Sequence, residues 1–539
     1  MRNARWWQNG IIYQVYPRSF QDSNGDGVGD LRGLLSRLPY FTELGIDAIW
    51  LSPIFRSPMA DFGYDIADYT DIDPLFGTLA DAQEVIDAAH AQGLKLILDL
   101  VPNHTSDRHP WFIDSRSSRD SAKRDWYIWR DPAPGGGAPN NWLSQFGGSA
   151  WEYDPRTGQY YHHAFLAAQP DLNWRNPQVR AAIYDVMRFW LRRGVDGFRV
   201  DVLWLVMKDA EFRDNPTNSG FRAGEPPHHA LIPLYTADRP EMQDVITEMR
   251  RVADEFIDRV LIGEIYLPIE RLVAYYGRDL AGLHLPFNFS LLGARWDARA
   301  IGKLIDEYEG ALPRGGWPNW VLGNHDRPRL ASRLGEEQAR IAAMLLLTLR
   351  GTPTIYYGDE IGMEEASLPP ERIRDPLERN VPGLGIGRDG CRTPMQWDDS
   401  PYAGFSSTEP WLPVAANYQE QNVAAQRHDI GSLFALYRRL IALRRERQAL
   451  AIGDYRPLVA PSDVLLYLRE LASERVLIAL NFGAESIPAC ASGELVGRLL
   501  LSSHGDRADE LVNGSIDLRP HEGVIIALTP ASALPGCPD

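Results

Sequence analysis

Eight short apolar runs alternate with amphipathic stretches along most of this chain, and that repetition constrains its fold more than any other feature. The runs are Ile11–Tyr16, Ala48–Pro53, Leu94–Val101, Gly197–Val202, Val260–Ile265, His284–Phe289, Asn319–Asn324 and Thr354–Tyr357. Each has the length of a buried strand. Residues 80–92 read as a helix stopped by Gly93. Residues 178–193 place Val179, Ile183, Val186, Met187 and Trp190 on one face before Gly194. Parallel strands need such crossovers, because a tight turn only joins antiparallel neighbours. Repeated eight times, the pattern predicts an α/β fold: a parallel (β/α)8 TIM barrel.

Two departures from the alternation set the domain plan. Residues 103–171, rich in Pro, Gly, Asn, Trp and Tyr, are too long for a crossover and predict a subdomain inserted after strand 3. Residues 1–102 and 172–451 then form the barrel. A second irregular stretch, 361–430, follows the eighth run, and a helix at 432–447 closes the barrel. Beyond residue 452 strands recur without helices (Val464–Leu468, Val476–Asn481, Leu499–Leu501, Val524–Leu528), so 452–539 is expected to be a C-terminal antiparallel β-sandwich domain.

At 539 residues, 44% hydrophobic and 24% charged, the chain can bury a large core. A formal net charge of -17 argues against nucleic acid and anionic membrane as partners. Cys391, Cys490 and Cys537 are few, odd in number and far apart, which predicts no disulfide framework and a reducing, cytoplasmic setting. The first residues, MRNARWWQNG, lack a signal-peptide core, and no run reaches membrane-span length. Whether the protein is a monomer or a homo-oligomer is left open.

Polar residues collect where the runs end, which in a barrel is the active-site face. The fourth run ends Gly197-Phe-Arg199-Val-Asp201. Residues two apart on a strand point the same way, so Arg199 and Asp201 share a face. A structural ion pair and a catalytic carboxylate held by a guanidinium both fit. The third run ends in Asn103-His104, the fifth in Gly263-Glu264, and the seventh in Gly323-Asn-His325-Asp326. Converging Asp201, Glu264 and Asp326 on one mouth brings like charges together at a cost in stability, which points to function. One ionised and one protonated carboxyl at short range are what glycoside hydrolysis needs. The sequence has no Gly-rich phosphate loop and no HExxH or paired-Cys zinc spacing. Separately, Asp22-Ser-Asn24-Gly-Asp26-Gly-Val28-Gly-Asp30 alternates oxygen donors with glycines like the start of a calcium loop, without the distal Glu. As a bare pattern it leaves metal binding open.

The motifs Asp99-Leu-Val-Pro-Asn-His104, Gly197-Phe-Arg-Val-Asp201, Gly263-Glu264 and Asn324-His325-Asp326 resemble, in order, the four hallmark regions of the α-amylase family, glycoside hydrolase family 13. Gln169-Pro-Asp-Leu-Asn173 resembles a fifth region of oligo-1,6-glucosidases and related α-glucosidases. Residues 6–75, Arg388-Asp-Gly-Cys-Arg-Thr-Pro-Met-Gln-Trp397 and Tyr402-Ala-Gly-Phe405 are similar to the same exo-acting branch. The resemblance implies a retaining exo-α-glucosidase acting on small α-glucosides, without an organic cofactor. By that resemblance Asp201 is the nucleophile, Glu264 the acid/base, and Asp326 the transition-state stabiliser. Arg199 orients Asp201, His104 and His325 donate to sugar hydroxyls, and Tyr64 stacks on the glucose. Asp61 with Arg388 grips its terminal 4- and 6-hydroxyls. Phe165 adds an aromatic wall, Asp99 supports the site, and Asp65 has no assigned role. The resemblance also implies a structural Ca2+ (or Mg2+) held by Asp22, Asn24, Asp26, the Val28 carbonyl and Asp30.

Val202 follows the nucleophile and is expected to line the leaving-group side. In the resembled branch Val there accompanies α-1,6 specificity, and Thr or Ala accompanies α-1,4. The next residues, Leu203-Trp-Leu-Val-Met-Lys208, lack the Asn usual in strict oligo-1,6-glucosidases. A broad range including maltose, sucrose and trehalose therefore stays open. So do a transglucosylase or isomerase, of the sucrose isomerase or trehalose synthase type, and a non-catalytic binding module. Relatives of the last kind lose catalytic carboxylates, and this chain keeps all three.

Overall fold

The computed structural model describes residues 4–489 and 495–529. Eight parallel strands, β1 (Ile12–Val15), β2 (Ala48–Leu51), β3 (Lys95–Leu100), β4 (Gly197–Val200), β5 (Val260–Gly263), β6 (Leu285–Pro286), β7 (Asn319–Val321) and β8 (Thr352–Tyr356), form one sheet. Its order is β6-β5-β4-β3-β2-β1-β8-β7. A parallel bridge between Asn288 and Trp320 joins the two outer strands and closes the barrel. All the apolar runs contain strands; seven strands are shorter than their runs, and β8 begins two residues before its run.

Alternation along the strands divides the core. Ile12, Ala48, Trp50, Ile97, Val260 and Ile262 fill the barrel interior with Phe287 and Val321. Tyr13, Ile49, Leu51, Leu96, Leu98, Phe198 and Leu261 face the surrounding helices. The helix Leu79–Ala91 starts with a capping box, Thr78 with Asp81, and ends before Gly93 at φ +78°. Pro177–Arg192 is capped by Asn176 and turns Val179, Ile183, Val186, Met187 and Trp190 inward. One crossover departs from the strict alternation. Between β5 and β6 there is only a four-residue helix, Ile269–Leu272, and single 3-10 turns. Gly277 at φ +74° breaks the helix, and Gly282 lies so near the chain that a Cβ would meet Tyr275 O at 2.6 Å.

Residues 103–171 carry a helix, Pro110–Ser115, and a three-stranded antiparallel sheet of Trp129–Arg130, Gln159–His162 and Trp151–Asp154. After the helix Leu433–Glu446 the chain forms a six-stranded antiparallel sheet. Its order is Asp454–Pro457, Val464–Leu471, Glu474–Asn481, Gly523–Leu528, Leu495–Ser502, Leu511–Gly514. One face of that sheet has its own core around Leu466, Leu477 and Ile526. The other joins Tyr467 and Ile478 to the barrel's core. Cys391 is buried and free, while Cys490 and Cys537 lie outside the described residues. Among the described residues no helix is long and apolar enough to cross a membrane.

Candidate active site

Parallel register builds the floor of the site. Asp99 on β3 lies opposite Arg199 on β4. Their side chains meet inside the barrel, Arg199 Nη1 donating to Asp99 Oδ1 at 2.8 Å and to Asp201 Oδ1 at 2.7 Å. Arg199 Nη2 lies 2.6 Å from Glu264 Oε2 at the end of β5. One guanidinium, 1% exposed, thus serves three carboxyls. Trp50 from β2 adds an indole donor to Asp99 and lies under Arg199.

A backbone kink completes the floor. Val202 has φ +36°, a conformation that costs a β-branched residue about 1–2 kcal/mol. The turn points its N–H at Glu264 Oε2, 2.9 Å away. Gly263 permits this packing, since a Cβ there would meet Leu283 Cδ1 at 2.2 Å.

Burial raises the carboxyl pKa values of Asp201 and Glu264 with Arg199 opposing; the charge of Glu264 adds to the rise at Asp201, and the charge of Asp326 adds to it at Glu264. The two carboxyls share the Arg199 guanidinium and so titrate as a pair. Burial also lifts Asp99 to about 6 against the pull of Arg199. Asp326 is different: burial opposes its charge, but His325, Arg388 and Arg392 outweigh burial and hold it well below the usual carboxylate range. The Asp201–Glu264 pair therefore holds protons more tightly than Asp326, which stays anionic.

A second guanidinium shapes the opposite end. Arg388 Nη2 donates to Asp61 Oδ1 at 2.9 Å and to Asp375 Oδ1 at 2.6 Å, and Nη1 reaches Asp326 Oδ1 at 3.3 Å. Arg392 Nη2 also donates to Asp326 Oδ1, at 2.9 Å. Gln169 Nε2 donates to Asp61 Oδ2, tying the inserted segment to this end.

Aromatic and imidazole groups join the two ends. Tyr64 stacks on His325 with rings 3° apart, and its hydroxyl bridges His325 Nε2 and Asp99 Oδ2. Gln14 Nε2 donates to His325 Nδ1. His104 Nε2 donates to the Tyr64 carbonyl, and Asn103 Nδ2 donates to His104 Nδ1. Burial lowers His104 to about 4 and His325 to about 3, so both are neutral near pH 7.

Asp61, Tyr64, His104, Phe165, Asp201, Val202, Glu264, His325, Asp326 and Arg388 all line one cavity of about 370 Å³. Arg199 lies behind its wall. Asp65 does not reach it: its carboxylate accepts from Ser57 Oγ and the N–H groups of Ala60 and Asp61, holding the loop that carries Asp61. Sequence reasoning missed Asp375, Arg392, Phe146, Trp204 and Tyr266. Tyr266 follows Glu264 by two and stacks on Phe289, a pairing visible only after β5 and β6 are placed side by side. Phe146 packs edge-on against Phe165 beneath Arg388.

The Asp22–Asp30 loop lies apart from the cavity, against the excursion after β8 through Asp22 N to Phe405 O. Asp22, Asn24 and Asp26 side chains accept from loop N–H groups, and Asp30 accepts from Ser23 and caps the helix Leu31–Ser36. An all-oxygen donor set on such turns suits a hard cation. Among the described residues no three His, Cys, Asp or Glu side chains converge as a metal site.

The catalytic-domain model of the α-amylase family matches residues 14–453. The chain is 43% identical over 518 residues to a probable α-glucosidase of Rhizobium meliloti, with 93% of each chain covered. It is 41% identical over 560 residues to an oligo-1,6-glucosidase of Parageobacillus thermoglucosidasius, covering 96% of this chain and 98% of that one. Among solved structures, an α-glucosyl transfer enzyme aligns with a TM-score of 0.93 at 40% identity, over 98% of this chain and 100% of the other.

Proposed function

The chain belongs to the α-amylase family of glycoside hydrolases, and from that premise we propose that it is a retaining exo-α-glucosidase working through a covalent glucosyl–Asp201 intermediate. The observation that carries this reading is the grip of one guanidinium on both Asp201 and Glu264, at 2.7 and 2.6 Å. Neighbouring guanidinium nitrogens favour a short carboxyl pair, of the kind found near 5 Å in retaining enzymes. An inverting pair needs roughly 6.5–9.5 Å to admit a water.

In this mechanism Glu264 gives its proton to the glycosidic oxygen as Asp201 attacks the anomeric carbon and the leaving alcohol departs. Glu264, now ionised, takes a proton from water, and the water oxygen displaces Asp201. Asp326, held anionic, hydrogen-bonds sugar hydroxyls and stabilises positive charge at the ring. His104 and His325 donate to hydroxyls after giving up protein contacts, and Tyr64 stacks on the glucose, with Phe165 as a further wall. The Asp61–Arg388 pair takes the terminal 4- and 6-hydroxyls and blocks longer chains, which supports exo action.

Substrates are short oligosaccharides and disaccharides with a non-reducing α-glucosyl end. Val202 borders the acceptor side with Leu205 and Trp204, which supports a lean to α-1,6 linkages, with α-1,4, sucrose and trehalose within reach. The Val202→Thr variant should move the maltose-to-isomaltose kcat/KM ratio toward maltose by about tenfold. Transfer to a sugar acceptor through the same intermediate is the second reading, raised by the likeness to an α-glucosyl transfer enzyme. Free glucose as the main product from sucrose and maltose supports hydrolysis; a rearranged disaccharide would support transfer.

Proton NMR of the first-formed glucose tests the mechanism. The α-anomer is expected, and β-glucose appearing first would overturn retention. Asp201→Ala should lower kcat on p-nitrophenyl α-glucoside by at least about 10⁴-fold. The Asp22–Asp30 loop is proposed to hold Ca2+ or Mg2+ as a structural ion. Chelation should then lower the melting temperature, and adding back the ion should restore it. The sparse cysteines support a cytoplasmic setting.

A further inference from the structure

Residues 375–388, in the excursion after β8, form a loop whose two ends are stitched together beside the cavity. Asp389 Oδ2 accepts from the N–H groups of Arg374 and Asp375, at 2.6 and 2.9 Å. Asp375 Oδ2 accepts from Arg388 N at 2.7 Å, and its carboxylate also takes Arg388 Nε and Nη2. The Asp375 side chain is 0% exposed. Between these ends the loop sends Leu377 and Ile386 into the cavity wall. Val381 packs on the inserted segment, where a Cβ at Gly147 would meet Val381 Cγ2 at 2.7 Å.

Arg388 has carboxylates on two sides, Asp61 and Asp326. Without a third partner its guanidinium is free to swing onto Asp326. Such a swing would abandon Asp61 and occupy the Asp326 oxygens that the sugar hydroxyls need. Asp375 contacts Nε and Nη2 together, which fixes the plane of the guanidinium as well as its position. We infer that Asp375 is a positioning residue that holds Arg388 on Asp61, so that the grip on the terminal glucose hydroxyls is formed before substrate arrives. The same carboxylate locks the base of the loop bearing Leu377 and Ile386, and so joins recognition of the glucose end to the acceptor wall. This rests on the proposed reading of the Asp61–Arg388 end as the binding site of the non-reducing glucose.

Kinetics of Asp375→Asn, Asp375→Glu, Arg388→Ala and the double variant Asp375→Asn/Arg388→Ala test it, on p-nitrophenyl α-glucoside and its 4-deoxy counterpart. Asp375→Asn is expected to raise KM on the order of tenfold, with a smaller fall in kcat, because orientation is lost while the reacting carboxyls stay. It should also shrink the preference for the glucoside over the 4-deoxy compound. Asp375→Glu, which keeps the charge, should recover part of both. The double variant should be no worse than Arg388→Ala, since Asp375 acts through Arg388. Asp375→Asn with wild-type KM and discrimination, beside an impaired Arg388→Ala, would overturn the positioning role and leave the pocket reading standing. Multiplying losses in the double variant would overturn it too, and this comparison still decides if one substitution weakens folding. An Arg388→Ala enzyme with unchanged KM and 4-deoxy discrimination would overturn the pocket reading itself, and this inference with it.

Discussion

Arg199 and Arg388 each hold three carboxylates, yet the two clusters are built in opposite ways. Arg199 is on a strand, and its partners Asp99, Asp201 and Glu264 come from β3, β4 and β5 or the residues just after them. Hydrogen-bonded register sets these contacts, so the cluster is part of the barrel's interior. Arg388 is on the loop after β8; Asp375 comes from the other end of that same loop, and Asp61 and Asp326 come from the loops after β2 and β7. The first cluster surrounds the proposed reacting carboxyls with a raised affinity for protons. The second holds Asp326 anionic and shapes the pocket's closed end. On the proposed reading, chemistry is anchored on rigid strands, and recognition on loops.

The largest effect expected from this contrast is at Arg199. Arg199→Ala should lower kcat/KM by at least about 10³-fold and cost about 3–5 kcal/mol of stability, because three buried carboxyls lose their cation. Urea unfolding measures the second quantity, and a variant as stable as the wild type would break the claim that this cluster belongs to the core. Arg388→Ala should act mainly on KM and cost less stability than Arg199→Ala, since its partners keep other donors: Asp375 the N–H groups of Leu377 and residue 388, Asp61 the Gln169 amide, and Asp326 the Arg392 guanidinium. Equal losses in the two variants would erase the distinction between strand-borne and loop-borne clusters.

A finer test uses pH. Burial raises Asp99 to about 6 with Arg199 opposing, above the roughly 3.9 of an unfolded aspartate. The folded state therefore holds a proton that the unfolded chain has released. That stabilisation is fully present below about pH 3.9 and is lost as pH rises through about 6, a change on the order of 1–3 kcal/mol. Asp99→Asn should remove this contribution, and urea unfolding from pH 4 to 7 in both proteins would reveal it. The buried histidines have the opposite sign. His104 and His325, lowered by burial to about 4 and about 3, favour the folded state above about pH 6.5, and that support is lost as pH falls through their folded values. The difference between the two profiles across this interval isolates the Asp99 share, since the histidines and the other buried carboxyls are common to both proteins. An unchanged profile would show that Asp99 does not titrate as its burial implies.

Much of the Arg199 cluster was legible in the chain. Alternation put Arg199 and Asp201 on one face, and a strand end marked Glu264, as another marked Asp326 in the second cluster. The Arg388 cluster was only partly so: Asp61 and Arg388 came from motif likeness, while Asp375 carried no signal. It lies in a stretch without periodicity, 13 residues before its partner, and its meaning depends on a loop folding back on itself. The short crossover between β5 and β6 was hidden as well, since an apolar pattern does not reveal that Gly277 and Gly282 turn the chain before a long helix forms.

By itself, then, the sequence determined the barrel and the strand-borne carboxyls, because a two-residue period and a repeated strand–helix unit leave one way to bury the apolar faces. Tertiary structure alone decided which cation serves which carboxyl, that Val202 turns its N–H onto Glu264, and that Asp375 shares Arg388 with Asp61. Those choices depend on distances between segments up to 327 positions apart, which local periodicity does not encode.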